Sequence, residues 1–310
     1  MQQHNNSNSS GAAIPIQNQV SSGVLGLCFL LGIPGNIMVM VVMLRNFKRN
    51  NFTLHLMLNL AASDILCLIT LPLWIHYLLA DWTFSQDLCK LLASFVYISL
   101  YNSVMTVTLM SVQRYFAVLY SHQWAKLGRN GERALLVSLW ILACILSSPA
   151  AVTYKLKKRG VLDECDKFFN SHGQRAAVEI FETLLGFVVP FAILVTSYSC
   201  LHKQVNSTAF FRNKRLTRLV TNIIVTFFIF WVPVHVVNII DVAAVVLSSS
   251  SPASSKQLFA FTAFAGNIVG SFCFINSCVN PFLYAFATQG VCQGTEDSNE
   301  RDCDMQSCDV

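Results

Sequence analysis

The amino-acid sequence predicts an all-α membrane protein, a bundle of seven transmembrane helices. Three observations carry that reading. The 310 residues are 54% hydrophobic and only 12% charged, whereas soluble domains average about 25% charged and roughly 45–50% apolar residues. The apolar residues gather into seven runs, each near or above the roughly 20 residues needed to cross hydrocarbon. A chain in lipid must satisfy its backbone within a helix or a closed barrel, and runs this long and continuous exclude the barrel.

The runs lie at about 19–44, 53–79, 88–113, 134–154, 177–201, 219–247 and 257–287. They divide the chain into a polar tail at 1–18, a seven-span domain at 19–287 and an acidic tail at 288–310. The first segment lacks a basic start before an apolar core, so it reads as a tail rather than a cleavable signal peptide. If the spans alternate, the connections at 45–52, 114–133 and 202–218 share one side. They hold Arg45, Lys48, Arg49, Arg114, Lys126, Arg129, Arg133, Lys203, Arg212, Lys214, Arg215 and Arg218. That bias makes their side cytoplasmic. The N-terminus is then outside, where Asn5 and Asn8 are glycosylation acceptors. The loop at 155–175 carries bases of its own, but moving it inside would reverse every other loop.

Polar side chains at membrane depth cost on the order of 3 kcal/mol or more, so each marks a candidate site. "GIPGNIMVM" places Asn36 in the first run, and "LNLAASDILCL" places Asn59 and Asp64 in the second. "SLYNSVMTV" places Asn102, Ser103 and Thr106 in the third, and "FINSCVNPFLY" places Asn276 and Asn280 in the seventh. Asp64, ringed by neutral oxygens, suits a small hard cation such as sodium. The plainer reading is a polar network that glues helices together. Pro34, Pro72, Pro149, Pro190, Pro233 and Pro281 each interrupt a run. Their kinks can act as hinges or as passive bends that shape a cavity. Most of the eleven cysteines are buried in the spans. Cys89 and Cys165 instead lie at the outer start of the third run and in the long outer loop. An oxidising compartment lets them bridge.

Gly35-Asn36, "LAASD", Cys89, Gln113-Arg114-Tyr115, Trp140, "FWVP" and "NPFLY", in this order, resemble the rhodopsin-like G-protein-coupled receptors. The resemblance covers about residues 20–287. It implies that Arg114 packs against the G protein, with Tyr198 and Tyr284 turning toward it in the active state. It implies that Trp231, close to Pro233, relays ligand contact to Phe227. It also implies that Asp64, Ser103, Asn276 and Asn280 form an allosteric sodium pocket with Trp231 as its lid. No other cofactor is implied. Family members usually carry an acid before this arginine; Gln113 lacks the charge, which implies a looser inactive state and some ligand-independent signalling.

Absences narrow the ligand. No lysine follows Lys256, which excludes a retinal Schiff base, and Val96 stands where amine receptors carry aspartate. "EIFETLLGFVVPF" and "FWVPVHVVNII" resemble the leukotriene B4 receptors. That likeness implies a pocket at Tyr101, Glu182, His235, Asn238 and Asn267. Lys155 and Arg175 would receive a lipid carboxylate, with Lys157, Lys158 and Arg159 in the same loop. Gly266 and Ala93 replace an arginine and a histidine of that subfamily, so two of its polar contacts are missing. Another hydroxylated fatty acid or a chemoattractant peptide stays open as the ligand. Glu182 and His235 also read as satisfied buried residues, and the loop lysines as solvated charges.

The resemblance implies a multi-pass plasma-membrane receptor coupled to an inhibitory-class heterotrimeric G protein, surrounded by membrane lipid and making no contact with nucleic acid. Residues 288–310 hold six acids against Arg301 alone. That composition suggests disorder in place of the usual membrane-surface helix, and the few hydroxyls suggest weak arrestin binding. An enzyme is disfavoured, because neither H-E-x-x-H nor Gly-x-Ser occurs. A transporter would show repeated halves, and none are visible.

Overall fold

A computed structural model describes residues 14–45, 52–80, 82–159, 162–204 and 214–306. Side chains at 158–159, 162–163, 198, 201–204, 214–220, 267 and 284–306 lie outside that description. Asn5 and Asn8 therefore fall outside the described residues, as do the side chains of Tyr198, Asn267 and Tyr284. Within it, seven helical stretches are long and apolar enough to cross a membrane.

The first span is α1 (Ile16–Arg45). The second is α2 (Phe52–Leu68) and α3 (Leu71–Leu79), parted where Pro72 begins the new helix. The third is α4 (Gln86–Leu119), capped by Ser85, whose hydroxyl accepts the Leu88 N–H at 3.2 Å. The fourth is α5 (Ser121–Leu146) and α6 (Ser148–Thr153). Then come strands β1 (Tyr154–Arg159) and β2 (Leu162–Lys167). The fifth span is α7 (His172–Thr183), a π-helical turn at Leu184–Val188 and α8 (Val189–Gln204). The widened turn comes just before Pro190, where a missing N–H interrupts the regular ladder. The sixth and seventh spans are α9 (Lys214–Leu247) and α10 (Pro252–Gln306).

The connection at 114–133 is helical on both sides of Tyr120, and Gly128, at φ +61°, breaks α5 where a residue with a Cβ would be strained. The outer loop is an antiparallel hairpin between the fourth and fifth spans, attached to an otherwise helical bundle. Its register sets Lys155 opposite Asp166, Lys157 opposite Glu164 and Lys158 opposite Asp163. Cross-strand opposite charges stabilise such a pair, and the register places three of the loop's bases opposite acids of the same loop. The acidic tail continues α10 as helix to Gln306, with no proline after Pro281 to stop it.

One core packs Leu56, Leu60, Val107, Met110, Leu139, Leu194 and Ile223. Another joins Leu25 and Cys28 of α1 to Leu68, Leu71 and Cys278. The first and seventh spans approach closely because two α1 positions lack a side chain. A Cβ on Gly32 would lie 3.2 Å from Cys278 Sγ, and one on Gly35 2.9 Å from Pro281 Cβ. Pro281 has no N–H for the Ser277 carbonyl one turn back. Asn36 Nδ2 donates to that carbonyl at 3.0 Å, from a fully buried position.

Gly35→Val should lower the melting temperature of the purified protein by several degrees, since overpacking costs about 1–3 kcal/mol. Gly26, where a Cβ meets nothing within 4 Å, is the control. Gly26→Val should stay within the roughly 0.5 kcal/mol of a neutral change.

Candidate functional site

Two regions draw the polar residues together: a cavity at the outer end and a network through the middle of the bundle. The cavity measures about 1150 Å³. Tyr97 and Tyr101 face it from α4, Arg175, Glu179 and Glu182 from α7, and Trp231, His235, Asn238 and Asp241 from α9. β2 closes over it because the Cys89–Cys165 disulfide, with Cα atoms 5.8 Å apart, fixes the strand to the end of α4. Two residues beyond Cys165, Lys167 reaches the cavity.

Lys167 Nζ donates to both carboxylate oxygens of Glu182, at 3.0 and 2.9 Å, and stands 3.7 Å from Glu179 Oε1. It also lies 5.4 Å from the centre of the Tyr97 ring. Burial alone would lower the Lys167 pKa; the Glu182 carboxylate, with Tyr97 and Glu179, outweighs it and holds the ammonium well above its ordinary value. Beside it, burial pushes the Tyr154 hydroxyl up to about 12. Arg175 makes a two-pronged contact with Asp241, one arm at 2.6 Å. Thr262 donates to the same carboxylate at 2.8 Å, so the fifth, sixth and seventh spans meet there. The Arg175 guanidinium also covers Phe259 at 4.5 Å.

The floor is aromatic. His235 stacks on Phe187 at 4.9 Å and on Trp231 at 5.6 Å, and its Nδ1 pairs with Thr183 Oγ1 at 3.4 Å. Trp231 stacks on Phe227 at 4.9 Å, and both pack with Val104 and Cys273. The cavity floor is therefore continuous with an aromatic column that descends into the bundle.

Of the residues expected to line a pocket, Tyr101, Arg175, Glu182, His235 and Asn238 do so, and the backbone carries Asn267 in α10 beside the lining residue Gly266. Lys155 is not among the lining residues; its ammonium covers the Phe168 ring at 5.3 Å. Arg175 is engaged by Asp241 rather than unpartnered. Sequence reasoning missed Lys167, Glu179 and Asp241. Lys167 was legible in principle, being two residues from a cysteine expected to bridge. Glu179 sits three residues before Glu182, so the two share a helix face. Asp241 is the lone acid of the sixth run.

In the middle of the bundle, Asn280 Nδ2 donates to Asp64 Oδ2 at 2.7 Å. Asn102 donates to Ser63, Asn59 to Thr106 at 2.7 Å, and Trp140 Nε1 to Asn59 Oδ1 at 2.8 Å. The second, third, fourth and seventh spans are thus joined by buried polar contacts. Ser103 and Asn276 are buried as well. At the end of the bundle away from the cavity, Thr53 donates to Gln113 Oε1 at 3.2 Å, and Arg114 Nη2 approaches the same hydroxyl at 3.4 Å. A hydroxyl on the second span therefore serves both residues.

Comparison with known proteins agrees with this arrangement. Residues 35–284 match the family described as 7 transmembrane receptor (rhodopsin family). The chain belongs to that family, a family of receptors and not of enzymes. It is 32% identical to human leukotriene B4 receptor 1 over 273 residues, covering 86% of this chain and 76% of that protein. It is 33% identical to the Danio rerio C3a anaphylatoxin chemotactic receptor over 277 residues, 87% of this chain and 72% of that one. It is 31% identical over 275 residues to G-protein coupled receptor E1 of equine herpesvirus 2, covering 86% and 70%.

Proposed function

We propose that this membrane receptor sits in the plasma membrane with its N-terminus outside, binds an extracellular chemoattractant in the outer cavity, and activates inhibitory-class heterotrimeric G proteins. The observation that carries this reading is the continuity of the cavity floor with the stacked pair Trp231 and Phe227. A ligand that favours one arrangement of that pair biases a two-state bundle.

Two ligand classes draw on different features. A hydroxylated fatty acid of the leukotriene B4 kind is supported by Tyr101, Glu182 and Asn238, which offer hydroxyl partners in the cavity, and by likeness to a leukotriene B4 receptor. Its carboxylate needs a cation, yet Lys167 and Arg175 already hold carboxylates. That arrangement favours the second class, a chemoattractant peptide, and the likeness to a C3a anaphylatoxin receptor is in keeping with it.

The residues around Asp64 fit a small hard cation. Oδ1 of Asp64, Asn276 and Asn280 are buried acceptors without hydrogen-bond partners, and among the described residues no group of three or more His, Cys, Asp or Glu gathers to hold a metal ion. A sodium ion would thus be held by one carboxylate and neutral oxygens. Bound there, it would neutralise Asp64 and brace the inactive packing. The roles of Arg114, Tyr198 and Tyr284 in engaging the G protein belong to this same reading.

Inhibition of cyclic AMP, measured with and without leukotriene B4 in cells showing the receptor at their surface, tests the assignment. A response abolished by pertussis toxin is expected for the coupling; a response to leukotriene B4 selects the lipid class, and silence discards it. Gln113→Asp restores a charge beside Arg114, and charge-assisted bonds are about twice as strong as neutral ones. Basal inhibition should then fall about fivefold, the effect of about 1 kcal/mol on a two-state ratio; an unchanged basal level refutes the looser lock. Replacing sodium by choline should raise basal signalling of the native chain and leave Asp64→Asn unmoved.

A further inference from the structure

We propose that Glu179 is a cation-binding subsite of the outer cavity, so that the natural ligand presents a guanidinium or ammonium group of the kind a basic peptide carries. This rests on the reading of the cavity as the ligand site. Glu179 lines the cavity, yet its side chain is only 8% exposed. Its Oε2 has no hydrogen-bond partner, and its Oε1 reaches Lys167 only at 3.7 Å, beyond a hydrogen bond. The Lys167 ammonium is taken by both oxygens of Glu182.

Charge balance points the same way. Among the described residues, the cavity lining sets Lys157, Lys167 and Arg175 against Glu164, Asp166, Glu179, Glu182 and Asp241. Lys157 stands opposite Glu164 and Lys155 opposite Asp166 in the hairpin, and Arg175 and Asp241 neutralise each other, which leaves the Lys167 ammonium for the two carboxylates Glu179 and Glu182. A buried carboxylate that shares its one counter-charge with a second acid is left under-compensated, and a ligand cation supplies the balance without displacing anything. An anionic ligand has to take Lys167 from Glu182 or Arg175 from Asp241, and it leaves a second buried acid unpaired.

The source of the cation follows from size and from the floor. A cavity of about 1150 Å³ exceeds the roughly 300–1,000 Å³ typical of small-molecule sites. The α4 position seven residues after Cys89 is Val96, which lines the cavity without a charge. Trp231 Nε1 and His235 Nε2 both lack partners on the floor, where peptide carbonyl and amide groups would supply them.

The test uses the full chain in lipid nanodiscs and two matched pools of acetylated, amidated tetrapeptides. One pool carries arginine at a single position, and the other carries citrulline, its neutral isostere. Binding is read by tryptophan fluorescence, because Trp74 and Trp231 line the cavity. The arginine pool should bind about tenfold tighter, as expected for a desolvated charge pair. Glu179→Gln should bring the ratio to about one, and Glu179→Asp should retain part of it. Equal binding of the two pools, binding of neither, or a preference that survives in Glu179→Gln overturns the subsite. If Glu179→Gln does not fold, the comparison on the native chain decides alone. Leukotriene B4 is the third probe: its binding without any arginine preference removes the cationic subsite and keeps the cavity, whereas absence of all binding removes both.

Discussion

In hydrocarbon no water replaces a backbone hydrogen bond that proline removes, and each orphaned carbonyl costs several kcal/mol. The seventh span meets this constraint at Ser277, whose carbonyl has lost its partner to Pro281 and accepts from Asn36 instead. The contact requires α1 to lie flush against the proline, which is why Gly35 stands opposite it. With the seventh span held there, Asn280 reaches Asp64 on the second. That contact joins the seventh span to the polar network in the middle of the bundle.

Seen from this skeleton, the bundle divides into parts of different character. The middle is tied by amides and hydroxyls, and Trp140, Asn59 and Thr106 bond across three spans. At the end of the bundle away from the cavity, the Thr53 hydroxyl serves both Gln113 and Arg114. The outer end relies on charge, with Arg175 clasped by Asp241 and Lys167 by Glu182.

The spans were legible because length and apolarity are properties of consecutive residues. So were Asp64 and the asparagines, since a polar residue at membrane depth stands out against its neighbours. The hairpin was less so, although the alternation in its strands and their opposite charges were there to be read. Its pairing depends on Lys155 meeting Asp166 across the turn, a relation that scanning for helices does not test. The clasp of Arg175 by Asp241 joins residues 66 positions apart and has no local signature, so Arg175 read as a ligand contact. Lys167 was passed over because it lies in a stretch read as loop. What places its ammonium in the cavity is the bond between Cys89 and Cys165, whose spatial consequence needs the fold.

That last placement divides two duties of the chain between two kinds of structure. The spans hold the shape of the cavity, but a decisive positive charge inside it is carried on β2, tethered by one covalent link. Exchange of Lys167 for a neutral or acidic residue would leave Glu179 and Glu182 without their shared ammonium and deepen the preference of the interior for a cation, while the contacts between the spans stay as they are. Ligand choice can therefore drift in evolution through a short external strand, while the transmembrane machinery that reports binding stays as it is.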